Sequence, residues 1–293
     1  MSTAGSPLGR FLDLPETVYK YRRVDDHALR LLTHGTLYFA SARDFNDPFD
    51  TTTGYDFEAD DGTKFRWVNR FLKKHHPELG KRARHRRARE VLADVVAAGP
   101  GRPLLAQELL EQKRFEQHGI FCAAGVRDDL LMWAHYAASH TGVCVGLRRR
   151  VLMDAARSEF FRGRVIEPYR VRYQDELDRP SFFSTPRAED WPEWHGRVVA
   201  VKSAHWAYEQ EVRLVTWNGA GVTLDCGPDL VSEVVLGCRI SEGDEARVFD
   251  ALHRSDSGAT VYRARRHDRR FELVVGPPDE PANGADRSPS AEP

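Results

Sequence analysis

This sequence of 293 residues lacks long hydrophobic runs and paired cysteines. No stretch approaches the roughly 18 consecutive apolar residues of a membrane-spanning helix, and the N-terminus has no apolar core long enough for a secretory signal. The four cysteines lie far apart, without a Cys-x-x-Cys pair, so we expect reduced core residues rather than a disulfide framework. These absences predict a soluble, cytoplasmic protein.

An excess of either charge is absent as well. The 43 Lys and Arg residues balance 44 Asp and Glu residues, which leaves a formal net charge of −1. A protein that coats nucleic acid through an overall positive charge is excluded, and so is an acidic solvating protein. Any basic surface must therefore be local. The sequence signatures of P-loop, dinucleotide-binding, α/β-hydrolase and kinase proteins are missing too.

The sequence does contain enough apolar material for a core, with 41% hydrophobic and 10% aromatic residues. Segments typical of strands and helices alternate irregularly, which predicts an α+β fold with a mixed, mostly antiparallel sheet. We expect one domain over residues 18–276, with a helical insertion at about 58–118 that is rich in Arg, Lys, Glu and Ala. Residues 1–17 are predicted to form a flexible arm, and the proline-rich residues 277–293 a disordered tail.

Two glutamates and an arginine recur at every second position in Trp206-Ala-Tyr208-Glu209-Gln-Glu211-Val-Arg213. In an extended strand, Glu209, Glu211 and Arg213 would share one face. Neighbouring carboxylates repel each other, so one can stabilise an oxocarbenium-like centre while the other moves a proton. The alternative is a solvent-exposed strand face with a Glu–Arg ladder.

A second candidate is a predicted helix over residues 128–140. Met132, His135, Tyr136 and Ser139 have the spacing of one helical stripe, which could hold a polar ligand or stack on a ring. The alternative is a core stripe with satisfied polar groups. His135 and His140 lie too far apart around a helix to bind one metal ion, and no Cys/His cluster compensates, so we expect no metal site.

A short predicted strand, Tyr19-Lys20-Tyr21-Arg22, places its two cations on one face. Such cations can bind a phosphate, or they can protect an edge strand from pairing. The segment from Phe45 to Asp50 reads as an Asx-capped turn, and a functional role for Asn46 and Asp47 stays open because loops often carry function.

A run of basic residues lies in the predicted insertion. We interpret it as an exposed helical face that could contact nucleic-acid phosphates, with a merely solvated face as the alternative. Its members are Lys73, Lys74, Lys81, Arg82, Arg84, Arg86, Arg87 and Arg89.

Together these motifs resemble the bacterial domain-of-unknown-function family 2971, over about residues 18 to 275. The resemblance rests on Tyr19-Lys20-Tyr21-Arg22, Phe45-Asn46-Asp47-Pro48-Phe49-Asp50, Met132-Trp133-Ala134-His135-Tyr136-Ala137 and Trp206-x-Tyr208-Glu209-x-Glu211-x-Arg213. The layout also resembles, more distantly, the ADP-ribosyltransferase superfamily. That second resemblance implies an enzyme that cleaves the nicotinamide–ribose bond of NAD, such as a toxin or phage-defence effector.

The same resemblance implies roles for individual residues. Glu211 and Glu209 would be catalytic, and the residues that bind NAD would be Arg22, Tyr21, His135 and Tyr136. The strand at 120–125 departs from the family pattern because it has no serine, which leaves a binding-only protein open. The alternatives are a non-enzymatic defence or regulatory protein that binds nucleic acid through residues 73–89, and a structural domain that binds a protein partner.

Overall fold

A computed structural model describes residues 9–51, 56, 58–97, 117–177, 179–181, 183 and 191–278. The chain forms two compact units. The first combines Met1–Ala40, Gly119–Tyr173 and Ala204–Pro293, and the second combines Ser41–His118 and Gln174–Ser203. Within the predicted arm and tail, residues 1–8 and 279–293 lie outside the described residues.

The secondary structure mixes strands and helices along the whole described chain. The strands are β1 (Thr17–Arg22), β2 (Thr36–Tyr38), β3 (Ala40–Ser41), β4 (Gly119–Ala124), β5 (Val143–Arg148), β6 (Ile166–Arg170), β7 (Arg172–Gln174), β8 (Val201–Ser203), β9 (Glu211–Thr216), β10 (Thr223–Asp225), β11 (Val231–Leu236), β12 (Thr260–Arg266) and β13 (Leu273–Gly276). The helices are α1 (Asp26–His34), α2 (Asp61–His75), α3 (Lys81–Ala97), α4 (Leu130–Tyr136), α5 (Arg149–Phe161), α6 (Trp191–Val199) and α7 (Glu242–Ser255).

The first unit is built on a sheet with the strand order β13-β12-β11-β5-β1-β4-β9-β6. Neighbouring strands along this path are antiparallel, except for the parallel pair β11 and β12. The fold is therefore α+β with a mixed, mostly antiparallel sheet, as predicted. The register of β1 on β5 runs from Thr17 opposite Arg148 to Arg22 opposite Val143, whereas β1 and β4 meet at one pair, Tyr19 and Ala124. The sheet thus opens between β1 and β4.

Both faces of this sheet are covered. On one face, α1, α5 and α7 contribute apolar side chains such as Leu32, Leu152 and Val248 to the larger core cluster. On the other face, Trp133 of α4 packs in a second cluster with Tyr21 of β1. This packing places α4 over the part of the sheet that contains β1.

The second unit contains two helices, α2 and α3, within the range of the predicted insertion. These helices pack on each other through Val68, Leu72 and Ala88. Residues 98–116 lie outside the described residues. The unit also includes α6 and a buried ion pair between Lys202 and Asp50, at 3.6 Å. None of the helices in the described ranges is long and apolar enough to cross a membrane.

Candidate functional site

The opening between β1 and β4 is bridged by a side chain. Lys20 Nζ donates a hydrogen bond of 2.6 Å to the carbonyl oxygen of Cys122 on β4, and it lies 4.8 Å from the centre of the Phe121 ring. Burial lowers the pKa of Lys20, and the charges around it include Glu209 and Glu211, which raise the pKa. The Lys20 ammonium therefore lies in the electrostatic field of both predicted catalytic carboxylates.

Glu211 is the first residue of β9 and is firmly held. Arg213 Nε donates to Glu211 Oε1 at 2.8 Å, and a second guanidinium nitrogen donates to Oε2 at 3.0 Å. The two residues share one face of the strand, as the alternating pattern predicts. Glu211 is 6% exposed and Arg213 is 0% exposed, so the alternative of a solvent-exposed ladder is wrong.

The thiol of Cys122 belongs to the same cluster. Cys122 lies opposite Arg213 in the register of β4 and β9, and Ala124 lies opposite Glu211. Burial raises the pKa of the Cys122 thiol well above its usual range, and the charge of Glu211 and a hydrogen bond with it act in the same direction. The thiol is therefore protonated at neutral pH and is not an activated nucleophile.

Glu209 does not lie on the strand, so the prediction that it shares the face of Glu211 is wrong. It ends the short 3-10 helix Ala204–Glu209, and Gln210 has a left-handed backbone with φ of 44°. This turn separates the two glutamates before β9 begins. Glu209 is nevertheless 2% exposed, and its Oε1 accepts a hydrogen bond of 2.6 Å from the hydroxyl of Tyr136.

Tyr136 is the last residue of α4, which is shorter than the sequence pattern predicts. Asp129 caps the N-terminus by accepting hydrogen bonds from two backbone N–H groups. Beyond Tyr136, the residues Ala138, Ser139 and His140 all have a left-handed backbone, with φ of 49°, 55° and 69°. The stripe of Met132, His135, Tyr136 and Ser139 is therefore interrupted before Ser139. Backbone strain of this kind often lies near functional sites.

Three aromatic rings cluster at the 3-10 helix that ends at Glu209. The ring centre of His135 is 6.3 Å from that of Trp206 and 6.4 Å from that of Tyr208, and the last two rings are 6.0 Å apart. His135 is exposed, and the other two side chains are half-buried. The trio forms an accessible aromatic rim, and it places His135 close to the segment that carries Glu209.

The two candidates on β1 differ in their surroundings. Arg22 is half-buried, forms an ion pair of 3.6 Å with Asp25, and lies near enough to Lys20 to lower its pKa. Tyr21 is 4% exposed, and its hydroxyl donates to the carbonyl oxygen of Val126 at 2.9 Å. Tyr21 is thus a core residue of the second cluster, and its predicted contact with NAD stays a prediction.

The structure brings together Tyr136, Glu209 and Glu211, with His135 at the rim and Arg22 beside Lys20. The sequence analysis assigned no role here to Cys122 or Tyr173, although the Tyr173 hydroxyl accepts a hydrogen bond of 2.7 Å from the backbone N–H of Glu211. No pattern of spacing in the sequence points to either contact. Within the described ranges, no group of three or more His, Cys, Asp and Glu side chains could hold a metal ion.

In the second unit, two further candidate motifs can be located. The Asp47 side chain accepts a hydrogen bond of 2.9 Å from the backbone N–H of Phe49, which confirms the Asx-capped turn. The basic run lies at the end of α2 and on α3, and most of its members are exposed. Arg84 differs, because it is half-buried and donates a hydrogen bond of 3.0 Å to Asn69.

Comparison with known proteins adds one match. No curated protein and no solved structure matches the chain significantly. The matching segment is residues 132–214, which begins in α4, ends in β9 and contains Tyr136, Glu209 and Glu211. Over this segment, the chain matches the model of a family described as a protein of unknown function, DUF2971.

Proposed function

We propose that this chain binds NAD and cleaves its nicotinamide–ribose bond, as an ADP-ribosyltransferase or an NAD glycohydrolase does. The observation that carries the proposal is the pair of buried carboxylates, Glu209 and Glu211, each held by its own partner near Lys20. Carboxylates fixed in this way can stabilise positive charge without reorganising during the reaction. The distant resemblance to ADP-ribosyltransferases is consistent with this chemistry.

In the proposed reaction, the bond between the ribose C1′ and the nicotinamide nitrogen breaks. Its electron pair goes to the pyridinium ring, so neutral nicotinamide leaves and an oxocarbenium-like sugar forms. Glu211 stabilises this cation, because Arg213 holds both of its oxygens in a fixed position. Water or an acceptor group then attacks C1′ and loses a proton, which bulk solvent takes from water and Glu209 takes from the less reactive acceptor group.

Other residues in the first unit supply binding surfaces. The rings of His135, Trp206 and Tyr208 offer stacking surfaces for a planar base. Arg22, which is half-buried, provides positive charge for phosphate groups. A toxin or phage-defence role would follow from depletion of NAD or from modification of a protein or nucleic-acid acceptor.

The decisive experiment measures nicotinamide release from NAD by the purified chain, alone and with cell extract as a source of acceptors. Glu211→Gln keeps the shape of the side chain and removes its charge, so turnover should fall by at least 100-fold, as is typical when one transition-state partner is lost. NAD binding, measured by calorimetry, should change little. Glu209→Gln should reduce transfer to an acceptor more than it reduces hydrolysis.

Glu167→Gln is the matched control. Glu167 is also a buried carboxylate, held by Arg10 at 3.0 Å and Tyr169 at 2.7 Å, but it lies opposite Val215 near the other end of β9. This variant should keep wild-type turnover. The proposal fails if the wild-type chain neither binds NAD nor releases nicotinamide under both conditions.

The second candidate function is binding of nucleic acid through the basic run at 73–89. The exposed side chains of Arg82, Arg86 and Arg87 on α3 favour it, although the last two also lie near Glu90. Changing these three arginines to glutamate should weaken binding to RNA or DNA and reduce its salt dependence. Unchanged binding would exclude this surface.

A further inference from the structure

The end of β12 and the turn that leads to β13, in the first unit, combine arginines with an exposed aromatic ring. Residues 263–270 contain five arginines and no lysine. Phe271 follows them, and its side chain is 101% exposed. Positive charge together with an accessible aromatic ring is the combination that binds single-stranded nucleic acid.

The partners of these arginines divide them into two groups. Three of them have acceptors in the structure: Arg263 bonds to Glu245, Arg265 to the carbonyl oxygen of Pro277, and Arg270 to Glu272. Arg266 and Arg269 are exposed and form no ion pair within the described ranges. Their charges are therefore available to an external anion.

Arg239 extends the same positive surface. Burial raises the pKa of the Cys238 thiol, and the charges of Arg266 and Arg239 both oppose this increase. The strand register places them together as well: β11 and β12 are parallel with Leu236 opposite Arg263, so Arg239 and Arg266 each come three residues after the same pair. Arg239 is exposed as well, and no acidic residue pairs with it in the part of the chain that the structure describes.

Hydrogen bonds within the turn fix its backbone. The N–H of His267 donates to the carbonyl oxygen of Glu272 at 3.0 Å, and the N–H of Arg269 donates to Nδ1 of His267 at 3.0 Å. A turn that is ordered in this way loses less conformational entropy on binding than a flexible loop does.

We propose that Arg239, Arg266, Arg269 and Phe271, the hairpin surface, bind single-stranded nucleic acid. The guanidinium groups contact phosphates, for which their planar donors are well suited, and Phe271 stacks on an unpaired base. A duplex fits less well, because its bases are already stacked on each other. An anionic membrane also fits less well, because one phenylalanine supplies little apolar area for insertion.

The test is a titration of the full chain into a fluorescently labelled oligo-dT of about 16 nucleotides, followed by anisotropy at several salt concentrations. Changing Arg266 and Arg269 together to glutamate should weaken binding at least tenfold. It should also reduce the slope of log K against log salt by about 1.4, since each phosphate contact on a single strand contributes about 0.7. Phe271→Ala should weaken binding about tenfold and leave the slope unchanged.

A double change of Arg150 and Arg157 to glutamate is the matched control. Both side chains are exposed on α5, and the variant alters the net charge by the same amount. Its affinity should stay within about twofold of the wild-type value. Thermal melting of each variant checks that it is folded.

Several results would overturn the proposal. The first is that the wild-type chain does not bind the oligonucleotide at low salt. The second is that the control variant loses as much affinity as the hairpin variants. The third is that the α3 variant of Arg82, Arg86 and Arg87 loses affinity and the hairpin variants do not. Preference for a duplex of the same length, or for vesicles of phosphatidylcholine and phosphatidylserine over the oligonucleotide, would also overturn it.

Discussion

The hydroxyl of Tyr136 donates a 2.6 Å hydrogen bond to Oε1 of Glu209, although 73 residues separate the two in the sequence. This bond links the end of α4 to the 3-10 helix that precedes β9. It also brings together the two motifs that the sequence singles out as separate candidates. The pairing therefore defines the candidate site more clearly than either motif does alone.

Tyr136→Phe should lower the free energy of unfolding by about 1–3 kcal/mol, because it removes a donor from a carboxylate that is almost completely buried. Denaturation in urea measures this change. Tyr38→Phe is the control, since the hydroxyl of Tyr38 makes no hydrogen bond within the described residues and its loss should have little effect. Equal stability of the two variants would contradict the importance of the Tyr136–Glu209 contact.

Arg213→Met should destabilise the protein by about 3–5 kcal/mol, because it removes the guanidinium that neutralises a buried carboxylate, Glu211. The exposed pair of Arg254 and Asp250, whose side chains are both 62% exposed, provides the comparison. Arg254→Met should cost less than about 1 kcal/mol, since solvent screens an exposed pair. Chemical denaturation of both variants gives the two values, and a similar loss in each would refute the argument from burial.

Stability should decrease in alkaline solution. Burial raises the pKa of Cys226 from 9.0 to about 12. Between pH 9 and pH 12, the thiol loses its proton in the unfolded chain and keeps it in the folded chain. The contribution of Cys226 to the free energy of unfolding is therefore complete below pH 9 and is lost as the pH rises towards 12. Within this range, titration of Cys226 should lower the free energy of unfolding by about 1.4 kcal/mol for each pH unit.

Cys226→Ser isolates this contribution. Urea denaturation between pH 8 and 11, with a reducing agent, should give a flatter decline for the variant than for the wild-type chain. Tyr19, whose pKa burial raises to about 12, adds to the decline only above its ordinary pKa of 10 and affects both proteins equally. Parallel curves for the two proteins would show that Cys226 does not titrate as described.

The sequence allows some of these features to be predicted and not others, for physical reasons. Glu211 and Arg213 share a face because a strand repeats every second residue, which is visible in the sequence. The change of direction at Gln210 is not visible, since glutamine rarely adopts a left-handed backbone and gives no signal for one. The left-handed turn at Ala138–His140 is hidden for the same reason, and it ends the stripe before Ser139.

Contacts between segments far apart in the chain cannot be predicted from the sequence for a different reason. Composition predicts the helices of the insertion, because α2 and α3 are rich in charged helix-forming residues. The inclusion of residues 174–203 in the same compact unit depends on contacts between distant segments, which one sequence does not reveal. The hydrogen bond from Lys20 to Cys122 is of this kind too.

Within the basic run, Arg82 and Arg84 should respond differently to reversal of charge. Arg82 is exposed, so Arg82→Glu should change the free energy of unfolding by less than about 0.5 kcal/mol. Arg84 donates a hydrogen bond of 3.0 Å to Asn69, which links α3 to α2. Arg84→Glu should therefore cost at least 1 kcal/mol, about the value of one such bond. Thermal or urea denaturation distinguishes the two, and an equal effect would show that Arg84 is not structural.

Gly142 should not tolerate even one additional carbon atom. A Cβ at this position would lie 2.1 Å from the backbone carbonyl oxygen of Arg22 and 3.0 Å from that of Ala137, and backbone atoms cannot move aside as a flexible side chain can. Gly142→Ala should therefore destabilise the protein by about 1–3 kcal/mol or more. Gly243→Ala is the matched control, because nothing lies within 4 Å of its added Cβ in α7 and alanine favours a helix. That variant should be as stable as the wild-type chain or slightly more so.

Because Gly142 follows the left-handed turn after Tyr136, Gly142→Ala should also reduce NAD turnover if the proposed function holds, whereas Gly243→Ala should not. Unchanged stability of Gly142→Ala would mean that β1 and the start of β5 do not approach as closely as described.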